Sequence, residues 1–373
     1  MRILYFFPEK QTIMNKWQRV HFIDELCRNN CLIEVFNPLF YNNIEEANEK
    51  LIERVRLGNV DLFMTNLCNE KWIFINTLEE IKKLGIPTLS YRGDNLVMPF
   101  NDKVLGRYFD LVWLTAKETE YLYKKWDINT VFAPYAANPY TYKYYRDSNI
   151  IRKCCFIGTP YGSRSIMINS LTESGLNVDL YYGGTALNNK SEKINDSFSK
   201  LYKEDKSIMF NMFRYKEGRR VLKGSILNRF IGKRKINESD NIEKYPSVMP
   251  EETAQLYSRY CLAMASTSTN STDALHKPLK IINLRNFEIP MSGGIEICKY
   301  NPELAEYFED GKEIILYQDN EDLIDKVRYF TQKASETEIR RIKEAARKRA
   351  ESDHTWMNRF RVSFDKLGLK YNI

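Results

Sequence analysis

Apolar residues follow two alternating periods along roughly the first 135 residues. Short β-rich runs occur at 2–7, 32–36 (Leu-Ile-Glu-Val-Phe), 60–65, 86–90, 111–114 and 130–133. Between them lie helical periods such as Trp17, Val20, Ile23, Cys27 and Ile44, Ala47, Leu51, Val55. Gly85 follows Leu84 and precedes Ile-Pro, a helix stop placed just before a strand. Strand–helix alternation of this length predicts a parallel sheet with helices on both faces. A second series starts at 153–157 and continues with a helix at 163–174 and a strand at 177–181. A helix at 250–259, a strand at 261–264, a helix at 278–292 and strands near 294–298 and 313–317 follow, with helices to the end. A polar, tyrosine-rich connector at 136–152 separates the two series. The fold class is therefore α/β, with two doubly wound domains in tandem. The N-terminal domain is expected at 1–140 and the C-terminal domain at 150–350, interrupted at 186–247 by an insertion or long loop. Within that insertion, 186–196 and 234–244 have the composition of unstructured chain.

At 373 residues the chain has room for two full cores, and 43% hydrophobic content with low net charge excludes a disordered chain. No run of about 18 apolar residues offers a membrane span. The N-terminal Arg2–Pro8 stretch is too short for a signal peptide and reads as a buried strand. The seven cysteines (27, 31, 68, 154, 155, 261, 298) include no Cys-x-x-Cys pair, so a reduced, cytoplasmic protein is expected. The net charge of +7 is local: residues 213–235 carry nine Lys/Arg against one Glu, leaving about −1 for the remainder. Phe213, Tyr215, Val221, Leu222, Ile226, Leu227, Phe230 and Ile231 interleave with those cations. A solvated helical flap, an interfacial helix at the inner membrane face and, least, a nucleic-acid patch all fit that composition.

Open α/β sheets bind ligands beyond the carboxyl ends of their strands. After the strand at 153–157 comes Gly158-Thr-Pro-Tyr161-Gly162-Ser163-Arg164, leading into a helix. Glycines there let backbone approach a ligand, and a helix N-terminus with an Arg favours phosphate. A second stretch reads Arg285-Asn-Phe287-Glu288-Ile-Pro-Met-Ser-Gly293-Gly294, then Pro302-Glu303-Leu, then Gly311-Lys312-Glu313.

This second stretch resembles the carboxyl domain of the CgeB-like, spore-maturation-type branch of GT-B glycosyltransferases. The pattern is Arg-x-Phe-Glu-x-x-x-x-Gly-Gly followed by Pro-Glu-Leu and Gly-Lys-Glu. The resemblance extends to Phe156-Ile157-Gly158, Tyr161-Gly162 and Arg164, to Ala133–Pro139 as the interdomain segment, and to His354-Thr355-Trp356 with Arg359. It implies two Rossmann-like domains facing a cleft, with 351–373 returning as a helix to the first domain. It also implies a nucleotide-diphosphate sugar donor, of UDP or GDP type, and no metal or other cofactor. The donor-binding set would be Gly158, Tyr161, Gly162, Arg164, Lys280, Arg285, Phe287, Glu288, Gly293 and Gly294. Glu288 would accept the ribose hydroxyls, while Arg285 and Arg164 would neutralise the diphosphate. One departure concerns stereochemistry. Retaining GT-B enzymes often carry a second glutamate eight positions earlier, and here that position is Lys280.

An inverting reaction needs a general base, expected at a strand end of the first domain. Asp94, in Ser90-Tyr91-Arg92-Gly93-Asp94-Asn95, and Glu70 are the candidates, with His276 approaching the donor sugar. His21 fits a core or surface role, and His354 a structural one. No His-Glu-x-x-His, paired cysteines or Asp-x-Asp suggests a metal. The sequence thus predicts transfer of a sugar to an acceptor hydroxyl on a saccharide, a lipid-linked molecule or a protein. A nucleotide-sugar epimerase and a non-catalytic binding protein on the same fold remain as alternatives.

Overall fold

A computed structural model describes the chain except residues 11, 68, 94, 148, 184–197, 199–206, 231–234, 270–271 and 372–373. The chain divides into two compact units. The first comprises Met1–Pro134, Asn189–Arg219 and Trp356–Ile373, and the second Tyr135–Asn188 and Arg220–Thr355.

The first unit holds six parallel strands, β1 (Arg2–Phe6), β2 (Leu32–Phe36), β3 (Leu62–Thr65), β4 (Thr88–Arg92), β5 (Leu111–Leu114) and β6 (Thr130–Phe132). Their order is β2-β1-β3-β4-β5-β6. Every residue of β3 and β5 is buried, as expected for strands covered on both faces. Leu4 and Phe6 pack on one face with the Ile44–Arg56 and Ile75–Lys83 helices. On the other face Phe22, Tyr91 and Trp113 gather around Trp356 of the terminal Trp356–Lys366 helix, with ring centroids 5.0–6.1 Å from it. The last helix is therefore part of the first unit's core. His21 belongs to this cluster, 4.8 Å from Trp17, where burial pushes its pKa down to about 3.

The second unit holds β7 (Ile151–Ile157), β8 (Val178–Tyr181), β9 (Ile242–Tyr245), β10 (Tyr260–Met264), β11 (Glu296–Lys299) and β12 (Ile315–Tyr317). All pairings are parallel, in the order β12-β11-β10-β7-β8-β9. The chain runs outward from β7 to β9, then returns to the other side of β7 as β10. That reversal puts the topological switch point between β7 and β10, where doubly wound sheets open a binding crevice.

Two sequence expectations change here. Strand β9 lies in the part of the insertion read as unstructured, and it pairs with β8 from Val178↔Ile242 to Tyr181↔Tyr245. Its two central charged residues are exposed and its ends only half-buried, too weak an apolar signal to announce an edge strand. The stretch 186–196 lies outside the described residues. The expected helix at 278–292 is shortened to Arg285–Met291. Residues 279–281 instead pair with 267–269, through Thr269 N–H to the Leu279 carbonyl and Ile281 N–H to the Thr267 carbonyl. Backbone groups committed to that pairing are not available for a helical ladder.

The basic stretch forms the Lys216–Phe230 helix. Among its interleaved apolar residues Tyr215, Val221 and Leu222 are buried, whereas Phe213, Ile226 and Phe230 are exposed. Among the described residues no helix is long and apolar enough to cross a membrane.

Candidate functional site

The second unit's switch point is lined by the residues that follow β7 and β10. Gly158 leaves β7 with φ +125°, a conformation that side-chain-bearing residues rarely adopt. Gly162, also at positive φ, opens the Ser163–Glu173 helix. Its first residue is held from two sides. The Ser163 N–H donates to Asp273 Oδ2 at 3.0 Å, and its hydroxyl lies 3.1 Å from that of Ser266, just past β10. Asn283 Nδ2 donates to the Ser266 carbonyl at 2.7 Å, tying this corner to the start of the Arg285–Met291 helix.

Two arginines meet above this corner. Arg285 Nε donates 2.7 Å to the Ile157 carbonyl at the end of β7. Arg164 Nη1 donates 3.1 Å to the Thr159 carbonyl, and its guanidinium lies 4.4 Å from the centre of the Tyr161 ring. The Phe156 ring lies 5.7 Å from the Arg285 guanidinium and 6.0 Å from that of Arg164. Neither arginine has a carboxylate within salt-bridge distance among the described residues. Burial, and then the nearby Arg285 cation, push the Arg164 pKa down. Arg164 is buried and Arg285 half-buried, and Asp273 and Glu288 act on them without forming a salt bridge, so the corner keeps cationic groups positioned to meet a further anion.

Glu288, one turn after Arg285, is buried, and its Oε1 accepts from the Tyr142 hydroxyl at 2.6 Å. Burial raises its pKa, opposed by the Tyr142 hydrogen bond and the Arg285 charge. No described donor engages Oε2, so one carboxylate oxygen is free to accept from a ligand. Tyr142 itself is fixed by its backbone: Arg347 Nη1 bonds the Tyr142 carbonyl at 2.6 Å and also the Met291 carbonyl, closing the helix that carries Glu288. Tyr142, Asp273 and Ser266 had no signal in the sequence. Tyr142 is one tyrosine among several in the connector, 146 positions from its partner.

Not every expected donor residue faces this corner. Phe287 is fully buried among Tyr307, Phe308 and His354, with ring centroids 5.3–6.2 Å away, so it is a core residue rather than a ligand contact. His354 has the structural role expected of it, its Nε2 3.0 Å from the Tyr307 carbonyl. Gly293 and Gly294 end the helix. Their N–H groups bond the Pro290 and Ile289 carbonyls at 2.9 Å each, with Gly293 at φ +65°, a Schellman stop. Their glycine requirement thus comes from helix termination and packing. Lys280 donates 2.8 Å to the Tyr300 carbonyl at the end of β11, which accounts for its ammonium without a phosphate. His276 stands on an exposed loop and makes no hydrogen bond among the described residues. In the first unit Glu70 is exposed on the turn after β3, and Asp94 lies outside the described residues. Among the described residues no three His, Cys, Asp or Glu side chains gather as a metal site.

Residues 214–364 match a family model described as glycosyl transferase-like. No curated protein sequence matches the chain. Among solved structures, sucrose-phosphate synthase from Thermosynechococcus elongatus superimposes with a TM-score of 0.54 at 13% identity, covering 99% of each chain. The Anabaena protein HepE in complex with UDP-glucose gives 0.54 at 12% identity, over 99% of this chain and 100% of that one. A glycosyltransferase from Rickettsia africae gives 0.53 at 12% identity, over 98% of each. These likenesses establish the GT-B fold, two Rossmann-like units built on parallel six-stranded sheets.

Proposed function

We propose that this chain is a glycosyltransferase that takes a sugar from a nucleotide-diphosphate donor and passes it to an acceptor hydroxyl. The observation that carries the reading is the Arg164–Arg285 pair beside Glu288 at the second unit's switch point. The arginines are suited to the donor diphosphate, on which negative charge grows as the glycosidic bond breaks. Glu288 Oε2 is suited to the ribose hydroxyls, with Tyr142 holding the carboxylate in place. The glycosyl transferase-like match over 214–364 and the UDP-glucose bound by HepE support a nucleotide-sugar donor. Within this reading the CgeB-like branch, a role in surface polysaccharide or glycoprotein synthesis, and a metal-independent mechanism follow from the sequence resemblance. Asp94 and Glu70 remain the proposed bases, on the first unit.

A thermal-shift series with UDP and GDP tests the reading. A ligand at a hundred times its dissociation constant adds about 2.7 kcal/mol of stability. One of the two nucleotides is expected to raise the melting temperature of the wild type, and not that of Glu288→Ala. If neither shifts the wild type, the donor-site assignment fails.

A further inference from the structure

We propose that the Ile208–Met212 helix and the turn that follows it form a docking patch for an anionic lipid surface. Met209, Phe210 and Phe213 are exposed to 63%, 61% and 54%. Their spacing, i, i+1 and i+4, sets all three on one face of the helix. The opposite side is anchored within the first unit. Met212 and Tyr215 are buried, the Tyr215 hydroxyl bonds the Val97 carbonyl, and Glu217 accepts from the Tyr121 hydroxyl at 2.9 Å. The outer apolar face is therefore held outward by a fixed base.

Among the described residues from 207 to 223, the exposed charge is of one sign. Arg214, Lys216 and Arg219 are exposed, and the single carboxylate between residues 207 and 223, Glu217, is buried against Tyr121. Grouped aromatic and thioether side chains with exposed cations beside them match two layers of a bilayer at once. The phosphates of the headgroups pair with the cations, and the acyl boundary receives Met209, Phe210 and Phe213. A nucleic acid would satisfy the cations, but it stacks its bases on open ring faces. The Phe210 ring is already covered by the Arg214 guanidinium, 4.6 Å from its centroid, and Met209 offers no ring. The patch belongs to the first unit and the donor-site residues to the second. Its consequence, delivery of the enzyme to a lipid-linked acceptor, rests on the transferase reading above.

The test is co-sedimentation of the full chain with vesicles of phosphatidylcholine alone and of phosphatidylcholine mixed with phosphatidylglycerol. Binding is expected to the mixture only, weakening as salt is raised. Arg214→Ala should lower the affinity roughly fivefold, the equivalent of about 1 kcal/mol for one cation at an anionic surface. Phe210→Ser with Phe213→Ser should abolish sedimentation while leaving the melting temperature and its nucleotide shift unchanged. Loss of vesicle binding with an intact nucleotide shift separates this surface from the donor site. The proposal is overturned if the mixed vesicles bind no protein, if the double variant still sediments, or if only a single-stranded oligonucleotide is bound.

Discussion

The guanidinium of Arg285 occupies the space that a side chain at position 158 would need. A Cβ built on Gly158 falls 2.0 Å from Arg285 Nη2 and 2.9 Å from its Cζ. Gly158 therefore makes room for the arginine that lies across the end of β7, at a backbone φ of +125° that itself disfavours any other residue. Gly158→Ala is expected to push Arg285 away from the Ile157 carbonyl and to cost 1–3 kcal/mol, roughly, in backbone strain. Titration of the folded variant with nucleotide diphosphate should show binding weakened at least about tenfold, equivalent to one lost charge-assisted contact. Undiminished binding would detach Arg285 from the donor site.

The Asp273 carboxylate sits on the Ser163 N–H, at the helix end where a phosphate would also be favoured. It is an anion at the edge of a cationic corner, and a bound diphosphate must tolerate it or displace it. Asp273→Asn keeps an acceptor for Ser163 and removes the charge. Affinity for nucleotide diphosphate at low salt should rise about fivefold, on the scale of one like charge a few ångström away in a partly solvated site. A weaker or unchanged dissociation constant by calorimetry would mean that Asp273 lies outside the ligand's field.

Both sheets were legible in the sequence because buried parallel strands read as short, nearly continuous apolar runs, as in Leu111–Leu114 and Leu62–Thr65. The edge strand β9 was not, since none of its residues is fully buried and Ile242-Glu-Lys-Tyr245 carries two charges. Arg285 and Glu288 could be singled out because they share one helix and one motif. Tyr142, which holds Glu288, comes from the connector, and Asp273, which holds Ser163, from the loop after β10; single-sequence periodicity holds no information on such pairs. The motif's glycines and Phe287 were legible as a pattern but not in their physical role. A helix stop and a core ring leave the same letters in the chain as a ligand contact.

That distinction can be measured at Gly293. A Cβ there would lie 2.3 Å from the Tyr144 ring, and the residue holds φ +65°. At Gly294 a Cβ would approach Ile289 Cγ2 to 2.9 Å and the Ile289 carbonyl to 3.0 Å. Gly293→Ala is expected to destabilise the second unit by about 1–3 kcal/mol through left-handed strain and the ring clash. Below the melting temperature, the surviving folded protein should bind nucleotide diphosphate within about twofold of wild type, since no ligand contact is lost. A large affinity loss without a drop in melting temperature would restore the glycine pair to the binding surface.

Glu296 on β11 gives a pH dependence of known sign. The residue is fully buried, Asn286 Nδ2 donates to its Oε1 at 2.5 Å, and its Oε2 has no hydrogen-bond partner among the described residues. Burial pushes its pKa up to about 8 from an ordinary 4.5. Between those values the folded chain keeps a proton that the unfolded chain has released. Its contribution is therefore most favourable below pH 4.5, and is lost progressively as the pH rises to about 8. The slope approaches about 1.4 kcal/mol per pH unit where the two states differ by a full proton. Glu296→Gln keeps the acceptor for Asn286 and cannot ionise. Its melting temperature relative to wild type should climb steadily from pH 5 to pH 8 in calorimetric scans. A difference that stays constant over that range would show that Glu296 is already ionised, and solvated, in the folded chain.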